Sequence, residues 1–177
     1  MRAKTIFLCL AVLAVAGFLS LPGQKSEAPS KPKLAISIKP QHVADALHAI
    51  IKSHREVYAK ACEGQKNLAS PCELLRSASE AVASKGVEYA YVLRASQPIN
   101  PRNTPETEVE IKGLKYAAQH PEDSFYTEEL LGGRWYLTAV YPDVAVNQSC
   151  VNCHSAKQKC KVGDVIGGLV IRIALEL

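Results

Sequence analysis

The order of local signals restricts the fold more than any other feature: helical spacing from residue 41 up to Gly86, then β-forming runs with a helical insertion. Residues 41–62 place Val43, Leu47, Ile50, Ile51, Val57, Tyr58 and Ala61 on one broad face, which predicts a long N-terminal helix, with His48 and His54 at its surface or edge. A second helix opens at Ser70 as N-cap, with Pro71 in the first position and Glu73 completing a capping box, and stops at Gly86. Residues 87–95 read as a strand. Residues 97–105 contain Pro98, Pro101 and Pro105 and are expected to be irregular. Thr104-Pro105 is expected to cap a third helix through about Gln119, with Glu106 and Glu108 near its positive end. Residues 124–131 and 134–141 flank Gly132-Gly133, a hairpin signature, and residues 165–177 form an apolar closing strand. Helices followed by an antiparallel sheet with a helical insertion define an α+β domain. With 177 residues, 47% of them hydrophobic, one domain with a real core is expected.

The head of the chain reads as a targeting element. Arg2 and Lys4 precede an apolar stretch, residues 6–21, whose only polar member is Ser20. Ser26-Glu27-Ala28 then offers small residues where an export peptidase reads them. The expected organisation is a signal peptide at 1–28, a Pro- and Lys-rich linker at 29–40 and the domain at 41–177, in the periplasm. An uncleaved membrane anchor is the rival reading, although about 16 apolar residues is short for a span. Cleavage removes Arg2, Lys4, Lys25 and Glu27 from the 21 basic and 17 acidic residues, leaving a charge of about +2. That balance gives no argument for nucleic acid or for an anionic membrane surface.

The chemistry lies in Cys150-Val151-Asn152-Cys153-His154. A C-x-x-C-H run in an exported chain is the attachment pattern of covalent haem c. Two thiols add to the two vinyl groups on one porphyrin edge, and the adjacent imidazole, here His154, binds iron. A redox dithiol would need a βαβ setting that is missing here. A zinc site would need two more ligands, of which Cys160 supplies at most one. One haem c is expected.

The second axial ligand stays open at this level. The only methionine is Met1, which leaves with the signal, so a His/Met pair is excluded. Cys62, Cys72, Cys160, His42, His48, His54, His120 and an open site remain. Cys72 sits second in a well-capped helix, where the positive end lowers a thiol pKa. A Cys62–Cys72 disulfide, with Cys160 free, is the competing use of the same residues.

Five segments together resemble the c-type haem PAS-like sensor domain family: Pro98-Ile99-Asn100-Pro101-Arg102-Asn103, Leu131-Gly132-Gly133-Arg134-Trp135-Tyr136, Thr138-Ala139-Val140-Tyr141-Pro142-Asp143, Cys150 to His154, and Gly163-Asp164-Val165-Ile166-Gly167-Gly168. The resemblance spans about residues 41–175. It implies a PAS-like antiparallel sheet flanked by helices, one c haem, and redox or diatomic-gas (NO or CO) sensing through ligand exchange at the iron. Some members pair the haem histidine with a cysteine thiolate, and Cys72 falls close to that place. No kinase, methyl-accepting or cyclase segment follows, so a sensor of this form is expected to act through a separate signalling or redox partner. A small periplasmic electron-transfer cytochrome is the alternative. No distal acid–base constellation points to an enzyme such as a peroxidase.

Overall fold

The computed structural model describes residues 34–62, 68–86 and 89–175. The signal peptide expected at 1–28 lies outside these residues. In chain order the elements are α1 (Leu34–Ala61), α2 (Pro71–Ala83), β1 (Tyr89–Arg94), a 3-10 turn (Pro101–Asn103), α3 (Glu108–Gln119), β2 (Phe125–Leu131), β3 (Arg134–Val144), α4 (Gln148–His154) and β4 (Val165–Ala174).

The four strands form one sheet in the order β1-β4-β3-β2, with every neighbouring pair antiparallel. The two-residue period of the strands divides the core in two. Tyr91, Ala139, Tyr141, Leu169, Ile171 and Ile173 lie on one face, packed with Ala44, Leu47 and Ile51 of α1 and Leu75 and Val82 of α2. Val92, Val140 and Val170 lie on the other face, packed with Leu114 of α3 and with Phe125. Each fully buried aliphatic side chain, such as Ile171 or Val170, stabilises the fold by roughly 1.5–3 kcal/mol. The β2–β3 hairpin turns through Gly132 (φ 58) and Gly133 (φ 82), two left-handed residues that match the twist of the strands.

Local signals carry through where they are strongest. Both halves of the Ser70–Glu73 capping box form: Glu73 N donates to Ser70 Oγ at 3.2 Å and Ser70 N to Glu73 Oε2 at 2.8 Å. Three expectations need correction. Helix α1 begins at Leu34 rather than at residue 41, so the stretch read as linker is helical from Leu34 onward; residues 29–33 fall outside the described residues. Pro40 lies inside this helix, where a proline costs about 3 kcal/mol. Burial of its ring offsets part of that.

The inward face of α1 also differs from the expected one. Val43, Ile50 and Val57 are exposed, at 45%, 56% and 67%, while Ala44 and Ala59 are buried. Small alanines let the helix approach the sheet closely, and a pattern weighted by large side chains misses them. Helix α3 is capped by Thr107, not Thr104: Glu110 N donates to Thr107 Oγ1 at 3.1 Å. Thr104 instead closes the 3-10 turn, its hydroxyl donating to Pro101 O at 2.7 Å.

Candidate functional site

Helix α4 follows β3 because Asn147 caps it. Its side chain accepts from Cys150 N at 3.2 Å, and its amide donates to Ala59 O at 3.2 Å, fastening α4 to the end of α1. Ala145 N donates to Asp164 O and Gly163 N to Ala145 O, both at 2.9 Å, so the segment entering α4 is also tied to the start of β4. In a helix, offsets of three and four share a face. Cys150, Cys153 and His154 therefore point the same way.

That face opens on a cavity of about 260 Å³. Also lining it are Pro71 and Cys72 at the start of α2, with Arg76 one turn further on; Leu93 and Ile166 come from the sheet, and Pro98 to Asn100 from the loop after β1. Cys72 is thus brought together with the C-x-x-C-H residues, although 78 positions separate it from Cys150. The other candidates are not in this wall. Cys62 follows the last turn of α1 and Cys160 lies in the loop before β4. Both are free thiols, as is Cys72, so no Cys62–Cys72 disulfide forms. His48 stacks on Tyr141, ring centroids 3.9 Å apart. His42, His54 and His120 are exposed, with His54 Nδ1 against Ile50 O and His120 stacked on Tyr116.

The electrostatics correct one expectation. The Cys72 thiol is not lowered by its helix N-terminus. Burial pushes it up to about 11, and the Asp143 carboxylate adds to that, while Arg55 pulls the other way. Loss of water around the thiol is the largest of these effects and outweighs what the helix end would supply. Burial also lowers the His154 imidazole below its ordinary value, against the pull of Asp143. A neutral imidazole is the form that binds a metal.

Sequence reasoning missed the charged floor of the cavity. Arg55 of α1 forms an ion pair with Asp143 of β3, and both are largely buried. Burial raises the Asp143 carboxyl, and the charge of Arg55 opposes it. Arg55 Nε is buried with no hydrogen-bond partner. A second cavity of about 270 Å³, bordered by His48, Lys52 and Glu122, shares Arg55, Leu93 and Asp143 with the first. Asp143 was visible as an acid at the end of an apolar strand, and Arg55 as a cation among apolar helix residues. Neither signal says that the two meet.

A second charged cluster holds the loop side of the cavity. Arg94 donates to Glu110 Oε1 at 3.1 Å and to Arg102 O at 3.0 Å, and pairs with Glu106 at 2.7 Å. Arg172 donates to Glu110 and to Glu129, each at 2.8 Å. Glu110 is fully buried. Its contacts fix α3 and the 3-10 turn against the sheet.

A four-stranded antiparallel sheet with helices on both faces, and a cavity between α2 and a C-x-x-C-H helix, define a PAS-like α+β domain. The chain belongs to the Tll0287-like family, whose model matches residues 34–174. Its fold is similar to that of the cyanobacterial heme-protein Tll0287: TM-score 0.58, 17% identity, covering 78% of this chain and 99% of that chain. At that identity the likeness concerns the fold. No curated protein matches the sequence. Family and fold agree with the resemblance and the α+β, PAS-like class expected from the sequence.

Proposed function

We propose that this chain is an exported monohaem c-type protein that senses redox state or a diatomic gas. Family membership supports haem binding, since Tll0287 is described as a heme-protein. The observation that carries the finer reading is the shared cavity wall: two thiols and an imidazole on one helical face, with a third thiol, Cys72, lining the same cavity. This donor set fits a c-type haem.

Cys150 and Cys153 would hold the haem by thioether bonds, His154 would bind its iron, and Cys72 would face His154 as the second ligand. The haem supplies an iron whose charge changes by one unit between its two states, with an exchangeable position for a small gas. Cys72 is the group that answers this change. Burial favours its neutral thiol over the thiolate, so Cys72 would hold a proton whenever it is not bound to the iron. Cys72 is the second residue of α2, and release of that helix relative to the sheet would be the motion a separate partner reads.

Electron transfer is the second reading. It is favoured by the exposure of Cys153 and of Lys157, Lys159 and Lys161 just beyond it, a cationic rim suited to an acidic redox partner. Optical and EPR spectra of the ferric and ferrous protein, with and without CO, separate the two. A ferrous form that takes CO supports sensing; a ferrous form closed to CO and NO supports electron transfer. Export is tested separately by intact mass, with a mature chain starting near Pro29 as the expected result and a membrane-bound species retaining residues 1–28 as the contrary one.

A further inference from the structure

We infer that Arg76, steadied by Asn103, is the cationic seat for one haem propionate. This rests on the haem reading above and assigns a role to residues that neither the C-x-x-C-H pattern nor the axial ligands involve.

Three arginines border the cavity, and they differ in what neutralises them. Arg55 is paired with Asp143. Arg94 is paired with Glu106 and Glu110. Arg76 is half-buried, and its hydrogen bond goes to a neutral amide: Nη2 donates to Asn103 Oδ1 at 3.1 Å. The Glu73 carboxyl, three residues earlier, is held down first by its bonds with Ser70 at the helix cap and also by the charge of Arg76. Arg76 thus brings to the cavity wall a positive charge with no carboxylate hydrogen-bonded to it among the described residues. Its planar fork suits a carboxylate.

The position fits as well. A haem is polar along one axis, with vinyl groups on one edge and carboxylates on the opposite edge. The vinyl edge is fixed by Cys150 and Cys153, so the carboxylates point away from α4. Arg76 and Asn103 also line a small adjoining cavity of about 30 Å³ between α2 and β1, and no residue of α4 borders that space. Cys72 borders that space too, so the seat would lie on the α2 side of the site. Cys72 and Arg76, four apart on α2, share one helix face. One helix would thus supply both an axial ligand and a propionate anchor, so movement of α2 would alter both together.

The test uses the haem-loaded protein and resonance Raman spectroscopy, which reports the propionate bending band directly. Arg76→Gln is expected to displace that band and to lower the midpoint potential, since a positive charge near the haem is lost. Arg76→Lys is expected to restore the potential while leaving the band partly displaced, because a point charge replaces a fork. Asn103→Ala keeps the charge and should displace the band without lowering the potential as far. It also carries the test if Arg76→Gln does not accumulate. A bending band unchanged in both Arg76→Gln and Asn103→Ala, or in Asn103→Ala alone where Arg76→Gln does not accumulate, overturns the assignment of Arg76. Failure of the unmutated protein to carry covalent haem on a denaturing, haem-stained gel overturns the haem reading itself, which separates the two failures.

Discussion

Arg55 and Asp143, 88 positions apart, form an ion pair buried between two cavities, one bordered by the C-x-x-C-H helix and the other by His48. The pair joins α1 to the end of β3 where β3 hands the chain to α4. It places a compensated charge beside both Cys72 and His154.

Removing one partner of this pair should be costly. Asp143→Ala leaves a buried guanidinium with no anion, and a loss of roughly 3–5 kcal/mol in unfolding free energy is expected. Urea denaturation measures it. A change below about 1 kcal/mol would mean that water reaches Arg55 in the folded state.

Covalent attachment should depend on both motif cysteines. The double variant Cys150→Ala/Cys153→Ala is expected to carry no haem through a denaturing gel, while His154→Ala should retain an adduct with an altered spectrum or fail to mature. Full-strength staining of the double variant would place the attachment elsewhere.

The ferric protein is expected to be six-coordinate and low-spin, with Cys72 opposite His154. Cys72→Ser should give a high-spin or otherwise changed ferric spectrum and a higher midpoint potential. Cys62→Ser should leave both nearly unchanged, since Cys62 lies outside the cavity wall. A spectrally silent Cys72→Ser removes Cys72 as ligand and the α2 switch with it.

Acid should weaken the fold through Glu110. Burial opposes its ionisation, but the Glu106 N–H and the charges of Arg172 and Arg94 prevail and hold its carboxyl below the ordinary value. A folded pKa below the unfolded one means that the stabilisation is present above the unfolded carboxylate value and is lost as pH falls through the folded value. Stability of the unmutated protein should therefore drop below about pH 4, and Glu110→Gln should flatten that part of the curve. Equal acid slopes in the two proteins would count against this role.

Gly113→Ala should destabilise, although alanine favours a helix by about 1 kcal/mol. A Cβ there would stand 2.4 Å from Val140 Cγ2 and 2.8 Å from Val140 Cβ, and Val140 is buried and stiff about χ1. Overpacking of this kind costs about 1–3 kcal/mol. Thermal unfolding decides it, and a raised Tm would show that α3 can lift off the sheet without loss.

Much of the domain is legible in the sequence because its signals are local. The capping box of α2 needs only Ser70 and Glu73, and the β2–β3 turn only two glycines. The C-x-x-C-H motif shares a face through helical spacing alone. These features depend on residues within four positions of one another, where backbone geometry leaves little choice. The start of α3 was misread because two local signals compete there. Thr104 and Thr107 are both good caps, and Asn100 decides between them by taking residues 100–104 into a 3-10 turn.

The sequence by itself determined the α+β order, the hairpin, the capped helix and the two thiols with their adjacent histidine. Only the tertiary structure decided that Cys72 lines one cavity with that histidine, that Arg55 meets Asp143 in the same wall, and that burial raises the Cys72 thiol where its helix end would lower it. The reason is one of distance and solvent. Local pattern fixes backbone conformation over a few residues. A contact across 78 or 88 positions, and the water it excludes, exists only once the helices and the sheet have packed.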